Sequence, residues 1–218
     1  MSNENGVTVH YSVNDSLATL SVGAVLVATG RTPMTKDLNL AAAGISVDKR
    51  GFIEVNDKLQ TSAPNVWAIG DIHGGPQFTY ISLDDFRIIK NQLTGGNYDS
   101  LKKRKKFPTS VFLTPPYARI GLNETEAKAA NISYELFTLP AASIPKAAVM
   151  GNKEGLLKAL VDKENGKILG CMLFCLEAHE LINIVKIAMD GGLHYEILRD
   201  AVYTHPTMAE SFNDLFAQ

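Results

Sequence analysis

The sequence predicts an α+β domain in its second half, an antiparallel sheet with helices, preceded by partial α/β segments in its first half. Beyond residue 107, five stretches with strand character are followed by a strongly apolar helical stretch at residues 177–189. Strands grouped before helices are typical of a compact α+β domain. In the first half, two apolar runs each end in a glycine beside a polar residue, which is typical of a doubly wound α/β sheet.

The first sixth of the chain predicts a hairpin followed by a buried strand. Residues 7–13 alternate between apolar and polar, Asn14 and Asp15 indicate a turn, and the alternation returns at residues 17–22. Residues 24–28 are then continuously apolar. Such a run is expected of a parallel strand that is buried on both faces.

A second apolar run, at residues 66–69, precedes a predicted helix and a charged linker. Apolar residues recur at helical spacing over residues 79–93, and the glycines at 95 and 96 close the pattern. Residues 102–106 are all lysine or arginine. No aromatic residue interrupts this basic run and the chain is net acidic, so a solvated linker is favoured over a nucleic-acid patch.

The second half carries clear start and turn signals for its elements. Asn123 with Glu126 three residues later has the pattern of a capping box at a helix start. Asn165 with Gly166 is typical of a hairpin turn. The five predicted strands are residues 108–113, 118–120, 134–139, 156–161 and 168–174.

Composition excludes several classes of protein. The chain has 218 residues, of which 45% are apolar and 20% charged, with a formal charge of −2. This is an ordinary core-forming composition without a global field for nucleic acid or an acidic membrane. No apolar stretch approaches the roughly 20 residues that span a bilayer, and the polar residues 1–5 lack the apolar region of a leader. We therefore expect a cytoplasmic protein that binds neither membrane nor nucleic acid.

Two cysteines, Cys171 and Cys175, lie on or beside the last predicted strand. Four residues along a strand span about 13 Å, whereas a disulfide needs Cα atoms within about 7 Å. The two are therefore not expected to pair with each other, and we favour two small buried hydrophobic side chains. A redox pair or a metal site is the alternative.

Two motifs in the first half point to ligand contacts at strand ends. Ala28-Thr-Gly-Arg-Thr-Pro33 is weak alone, because a tight turn at Gly30 is the favoured reading of this motif taken by itself. Asp71 follows the apolar run 66–69, and a carboxylate in that place can accept a hydrogen bond from a ribose-like or ribityl hydroxyl. The helix that starts at Thr79 offers unpaired N–H groups and a positive dipole end to the same crevice. The alternative is that Asp71 caps a turn.

The third motif, His205-Pro-Thr-Met-Ala-Glu210, combines a proton carrier with a carboxylate. Histidine exchanges its proton most easily near neutral pH, and Glu210 could hold one ring nitrogen and fix the tautomer. Thr207 with Glu210 is also a capping-box pattern. Glu210 is therefore read as a partner of His205, as a helix cap, or as both, and His205 itself could be a structural turn histidine.

The order and spacing of these three motifs resembles the flavoprotein disulfide reductases, the family of lipoamide dehydrogenase, glutathione reductase and mercuric reductase. The resemblance covers essentially all 218 residues. Residues 144–150, 179–186 and 204–216 look closest to bacterial reductases that give resistance to reactive chlorine and hypothiocyanous acid. The resemblance implies an oxidant-defence enzyme that uses FAD and NAD(P)H, works as a homodimer and acts on a small-molecule or disulfide-like oxidant.

The resemblance also implies a role for each motif residue. Gly30 would lie beside the nicotinamide nucleotide, Asp71 would hold the FAD ribityl chain, and Thr79 would approach the flavin. His205 would be the acid and base for the interchange thiol of the partner subunit. Glu210 would orient His205, and no residue is expected to bind a metal.

The resemblance divides the chain into residues 1–34, the end of an NAD(P)-binding domain, residues 35–105, the last segment of an FAD-binding domain with a linker, and residues 106–218, the dimerisation domain. The family's two Gly-rich nucleotide loops and its Cys-x4-Cys redox pair have no match in the sequence. We therefore expect a fragment or truncated product that is inactive alone, with flavin binding by this chain left open. The alternatives are a stand-alone dimerisation or scaffold module without bound flavin, and a complete small nucleotide-binding protein.

Overall fold

The structure is a computed structural model that describes residues 6–217. The polar start of the chain, where no leader is expected, lies outside the described residues. The chain folds into two compact units, one ending at Lys103 and the other beginning at Arg104. The assignment of residues 1–34, 35–105 and 106–218 to three domain segments stays a prediction.

The first unit opens with the predicted hairpin. Strands β1 (Val7–Val13) and β2 (Ser16–Val22) pair antiparallel. Asn14 and Asp15 join them with φ angles of 48° and 63°. Both residues are therefore left-handed, as a tight two-residue hairpin turn requires, and asparagine and aspartate tolerate that conformation better than most residues.

The prediction of a buried parallel strand at residues 24–28 is wrong for this structure. Val25, Leu26 and Val27 are 48%, 91% and 76% exposed, and the segment has no regular secondary structure. A strand buried on both faces needs neighbouring strands at its edges and a layer on each side. Within residues 6–217, no strand pairs with this segment.

The second apolar run also forms less sheet than its sequence indicates. It makes an isolated bridge between Gln60 and Trp67 and then enters a 3₁₀ turn at Gly70–His73. Helix α1 (Thr79–Thr94) follows and ends at Gly95, whose φ of 76° closes it. The predicted helix is thus confirmed. The buried apolar side chains of this unit are Phe52, Ile53, Leu59, Ala63, Ala68, Ile81 and Ile88.

The second unit is built on a five-stranded antiparallel sheet, and its predicted strands are confirmed with small shifts of their ends. The sheet order is β3-β4-β7-β6-β5. The strands are β3 (Thr109–Val111), β4 (Tyr117–Gly121), β5 (Tyr134–Pro140), β6 (Leu156–Asp162) and β7 (Ile168–Phe174). The turn between β6 and β7 contains Gly166 at a φ of 63°, where its lack of a Cβ is needed.

Five helices complete this unit. They are α2 (Glu124–Ala129), α3 (Pro145–Val149), α4 (Ala178–Asp190), α5 (Glu196–Arg199) and α6 (Ser211–Leu215). The predicted capping box at α2 is confirmed, since Asn123 and Glu126 each accept a hydrogen bond from the other's backbone N–H at 2.8 Å. The long apolar helix is confirmed as α4, which ends before Gly191.

Helices α4 and α6 pack against the sheet and enclose its core. Helix α4 contacts β4 and β7, while α6 contacts β5 and β6. The core is one cluster of buried residues whose largest fully buried members include Phe137, Phe212, Phe216 and Met208. The predicted antiparallel sheet with helices is thus confirmed for the second half of the chain.

Candidate functional site

The structure brings His205 and Glu210 together. His205 Nδ1 lies 2.7 Å from Glu210 Oε2. The imidazole is 68% exposed, whereas the carboxylate is only 16% exposed. A hydrogen bond of this length to a largely buried carboxylate has the distance typical of a charge-assisted bond. The histidine is thus held through Nδ1 and presents much of its ring to solvent.

The segment that carries this pair is anchored on both sides. The peptide bond between His205 and Pro206 is cis. Met208, in the middle of the segment, is fully buried in the core. Asn213 donates from Nδ2 to the backbone oxygens of Arg199 and Ala201, at 2.6 and 2.9 Å. An exposed imidazole therefore sits on a backbone that buried contacts and side-chain hydrogen bonds fix.

Thr207 and Glu210 do not form the capping box that was one of the alternative readings of Glu210. Helix α6 begins at Ser211, so Glu210 occupies its N-cap position and makes no side-chain cap. The Thr207 hydroxyl instead donates to the backbone oxygen of Thr204 at 2.7 Å. The helix starts three residues later than the pattern indicates, which leaves the Glu210 carboxylate for His205.

The geometry defines what the pair can do chemically. With Nδ1–H donating to Glu210, a neutral His205 carries its proton on Nδ1 and leaves Nε2 as an acceptor. Glu210 would also stabilise the imidazolium after Nε2 takes up a proton. The second oxygen, Oε1, is buried, and none of the residues described donates to it. His205 thus donates a hydrogen bond that offsets the cost of burying this carboxylate. The role of the pair in catalysis stays a prediction.

In the first unit, Asp71 and the start of α1 are accessible. Asp71 lies in the 3₁₀ turn Gly70–His73, is 50% exposed, and has Arg31 Nη1 3.5 Å from its Oδ2. Helix α1 begins at Thr79 without a side-chain cap and without an acidic residue in its first turn. An exposed carboxylate and an uncapped helix start fit a ligand that bears hydroxyl groups and gains negative charge. The two residues thus fit FAD, and their roles stay predictions.

Gly30 lies in the exposed segment that precedes Arg31. Its φ is 95°, and a Cβ built on it would meet no atom within 4 Å. The position therefore favours glycine for its backbone angle and not for lack of space. Nothing in the fold distinguishes a nucleotide contact there from a simple turn, so its role stays a prediction.

Two residues that sequence reasoning missed support the Asp71 turn. The carboxylate of Asp85 is fully buried within α1, and His73 Nε2 lies 3.0 Å from its Oδ2. One signal could have revealed Asp85. It occupies the helical stripe of Ile81 and Ile88, where a charged side chain is not expected without a specific partner. His73 carries no comparable signal in the sequence.

Both cysteines lie in the core of the second unit. Cys171 and Cys175 are both free and buried, which confirms that they do not pair. Burial raises the pKa of the Cys171 thiol far above its usual range, and burial together with the Glu177 carboxylate raises the pKa of Cys175 to about 12. Neither thiol is thus ionised at neutral pH, as a nucleophile would need to be.

Among residues 6–217, no group of three or more histidine, cysteine or acidic side chains is arranged to hold a metal ion. None of the helices in the same range has the length and apolar character to cross a membrane.

Comparison with known proteins places these features in a family. Residues 107–216 match the pyridine nucleotide-disulphide oxidoreductase dimerisation domain, and residues 2–85 match the family described as pyridine nucleotide-disulphide oxidoreductase. The chain is 50% identical over 214 residues to the probable pyridine nucleotide-disulfide oxidoreductase RclA of Escherichia coli K12. It is 33% identical over 207 residues to the dihydrolipoyl dehydrogenase of Geobacillus stearothermophilus.

A solved structure, described as the HOCl-induced flavoprotein disulfide reductase RclA from Escherichia coli, has the same fold with a TM-score of 0.90 at 49% identity. The match covers 98% of this chain and 48% of that one. The alignments cover 98% and 95% of this chain but only 48% and 44% of RclA and the dihydrolipoyl dehydrogenase. This chain thus spans about half the length of the curated relatives it matches. Because the dimerisation-domain match alone takes in half of its residues, the chain belongs to the pyridine nucleotide-disulphide oxidoreductase family.

Proposed function

We propose that this chain is the C-terminal part, with the dimerisation domain, of an FAD-dependent NAD(P)H oxidoreductase of the disulfide reductase type. The observation that carries the proposal is the hydrogen bond of 2.7 Å between His205 and Glu210, inside the residues that match the dimerisation domain. A relative that is 49% identical is described as an HOCl-induced flavoprotein disulfide reductase. Oxidant defence in the cytoplasm, on a small-molecule or disulfide-like oxidant, is therefore the proposed setting.

In this proposal His205 accepts the proton of the thiol that attacks the disulfide, and it returns a proton to the other sulfur, which leaves as a thiolate when the original S–S bond breaks. A thiol must lose its proton to act as a nucleophile, and the departing thiolate must gain one. His205 Nε2 would serve both steps, because Glu210 occupies Nδ1. The role of Glu210 is to orient the ring and to stabilise its charged form.

The first unit would hold the cofactors. Asp71 would accept hydrogen bonds from the FAD ribityl chain, the start of α1 at Thr79 would face the flavin, and Gly30 would allow close approach of NAD(P)H. The flavin would supply hydride acceptance from NAD(P)H and electron transfer to the disulfide. The Gly-rich loops and the redox cysteines that this chemistry also needs have no match in the sequence. The chain alone is therefore expected to be inactive.

A second candidate is a dimerisation or scaffold module without bound flavin. It is favoured by the second unit, which has its own sheet and a continuous core. Bound flavin distinguishes the two candidates, because only the enzyme needs it.

Flavin content tests the proposal directly. We would purify this chain and a family-length protein that carries it, and measure visible absorption and NAD(P)H-dependent disulfide reduction. The family-length protein should be yellow and active, while this chain should be inactive. Asp71→Ala should lower the FAD content, and Lys102→Ala, which removes an exposed ion pair with Asp57 outside the motifs, is the matched control. Reduction of a disulfide by this chain alone, or a colourless family-length protein, would refute the proposal.

We also expect the chain to be a two-fold symmetric dimer through residues 107–218. Helix α4 buries Ala178, Leu181, Ile182, Val185 and Ala188 within its own unit but leaves Ile187 71% exposed. Residues 111–113, Val-Phe-Leu, are 52%, 78% and 57% exposed. Exposed apolar side chains of this size indicate a protein interface.

Light scattering checks this expectation at micromolar concentration. Wild type should give twice the chain mass of 23.7 kDa. Ile187→Asp should weaken association, because an interface would have to bury the new carboxylate unpaired. Leu17→Asp is the matched control, since Leu17 is 89% exposed in the first unit. A monomeric wild type would count strongly against the dimer.

A further inference from the structure

Helix α1 contains a buried carboxylate that the proposed chemistry does not use. The side chain of Asp85 is fully buried. Its Oδ2 accepts a hydrogen bond from the backbone N–H of Gly70 at 2.8 Å and lies 3.0 Å from His73 Nε2. Burying a carboxylate costs several kcal/mol unless hydrogen bonds compensate it. The contacts with Gly70 and His73 offset part of this cost, and they join Asp85 to the segment that precedes α1.

Gly70 and His73, which contact the Asp85 carboxylate, belong to the same turn. Gly70 is the first residue and His73 the last residue of the 3₁₀ turn that carries Asp71. One carboxylate oxygen thus closes both ends of the turn, while the Asp71 side chain between them stays exposed. The turn is thereby tied to the helix that begins at Thr79.

Packing leaves this turn little freedom to shift on α1. A Cβ added to Gly70 would lie 2.9 Å from Ser82 Oγ, and Gly70 has a φ of 70°. A Cβ added to Gly75 would lie 2.6 Å from His73 Cε1. The His73 side chain is itself only 6% exposed. The backbone of the turn is therefore seated directly against α1, and the His73 ring is enclosed.

We propose that Asp85 and His73 are positioning residues of the flavin site, which lock the Asp71 turn in register with the N-terminus of α1. This inference rests on the proposed function, because it assumes that Asp71 and the start of α1 hold the same FAD molecule. The affinity for a ligand that contacts both Asp71 and the start of α1 depends on the relative position of these two groups. Asp85 fixes this relative position, since it belongs to the helix and bonds to the turn.

The test measures the FAD dissociation constant of a family-length protein that carries this chain, with flavin fluorescence as the signal. Asp85→Leu removes both hydrogen bonds and should raise the constant by about tenfold to a hundredfold, the usual effect of losing hydrogen bonds to a charged group. Asp85→Asn keeps an acceptor oxygen and should recover much of the affinity. His73→Leu should have a smaller effect than Asp85→Leu, because the Gly70 bond remains.

Two controls separate positioning from a general loss of stability. Ile88→Ala empties a fully buried site in the same helix. It should lower the melting temperature as Asp85→Leu does, while the folded protein keeps its FAD affinity. In an Asp71→Ala background, the effect of Asp85→Leu on the dissociation constant should shrink, since the residue through which it acts is gone.

The possible results are distinguishable. Wild-type FAD affinity in Asp85→Leu, an equal loss in Ile88→Ala, or full additivity with Asp71→Ala would each overturn the inference and leave the proposed function intact. A wild-type family-length protein that binds no FAD would overturn the proposed function and this inference with it.

Discussion

In a family-length protein that carries this chain, His205→Ala should lower kcat/KM for disulfide reduction by about 100- to 10,000-fold, the usual contribution of a positioned general acid and base. The pH dependence of turnover should change as well. Without the imidazole, water has to exchange protons with the attacking thiol and the departing thiolate, and water is poorly placed to do so. FAD content and dimerisation should stay nearly unchanged, because the side chain is 68% exposed and its removal empties no part of the core.

Glu210→Gln provides the comparison that tests the pair. It keeps the size of the side chain and an oxygen near His205 Nδ1, but it removes the charge that would stabilise the imidazolium. The loss of kcat/KM should be smaller than in His205→Ala, and the pH profile should change. Melting should change little, since Glu210 makes no helix cap. Kinetics of His205→Ala that match wild type across about pH 6 to 8, the range in which a histidine ordinarily titrates, would end the catalytic assignment.

Phe212→Ala should lower the free energy of unfolding of this chain by about 3 to 5 kcal/mol, as is usual when a buried phenylalanine is truncated. Phe212 is fully buried in α6, and its ring lies 6.3 and 6.4 Å from the rings of Tyr203 and Phe216. Truncation leaves a cavity that these fixed neighbours cannot fill. The same helix follows Glu210 directly, so turnover of the family-length protein should fall as well.

Denaturant unfolding at one fixed protein concentration measures this effect, because a dimer gains apparent stability with concentration. Val149→Ala is the control. Val149 lies in α3 of the same unit and is 72% exposed, so its truncation should change the free energy by about 0.5 kcal/mol or less. A Phe212→Ala variant as stable as Val149→Ala would contradict the view that α6 completes the core.

Sequence patterns correctly predicted the elements whose stabilising residues lie close together in the sequence. Helix α1 carries its apolar stripe and its closing glycine within one segment, and the β6–β7 hairpin carries its turn residues between its strands. The capping box of α2 is complete within four residues. Each of these could be predicted because the residues that form and end the element lie within it or directly beside it.

The predictions that failed concern residues whose hydrogen-bonding partners are distant in the sequence, or residues that have more than one possible partner. The run at residues 24–28 has the composition of a buried strand, but a strand exists only where neighbours complete its hydrogen bonds. The pattern from Thr207 to Glu210 permits a cap, but His205 bonds to the same carboxylate. The helical stripe marks Asp85 as a buried position, but the partner of its carboxylate cannot be predicted, because the donating backbone N–H belongs to Gly70, fifteen positions earlier in the chain. None of these choices can be read from local periodicity.

The buried state of Cys171 and Cys175 has a practical consequence for chemical labelling. Alkylating reagents attack thiolates, and burial with a raised pKa leaves both sulfur atoms protonated and shielded at neutral pH. In the folded protein we therefore expect these two thiols not to react with alkylating reagents. A cysteine engineered at an exposed site, or a redox cysteine in a longer protein that carries this chain, can be titrated or spin-labelled without first removing the native pair.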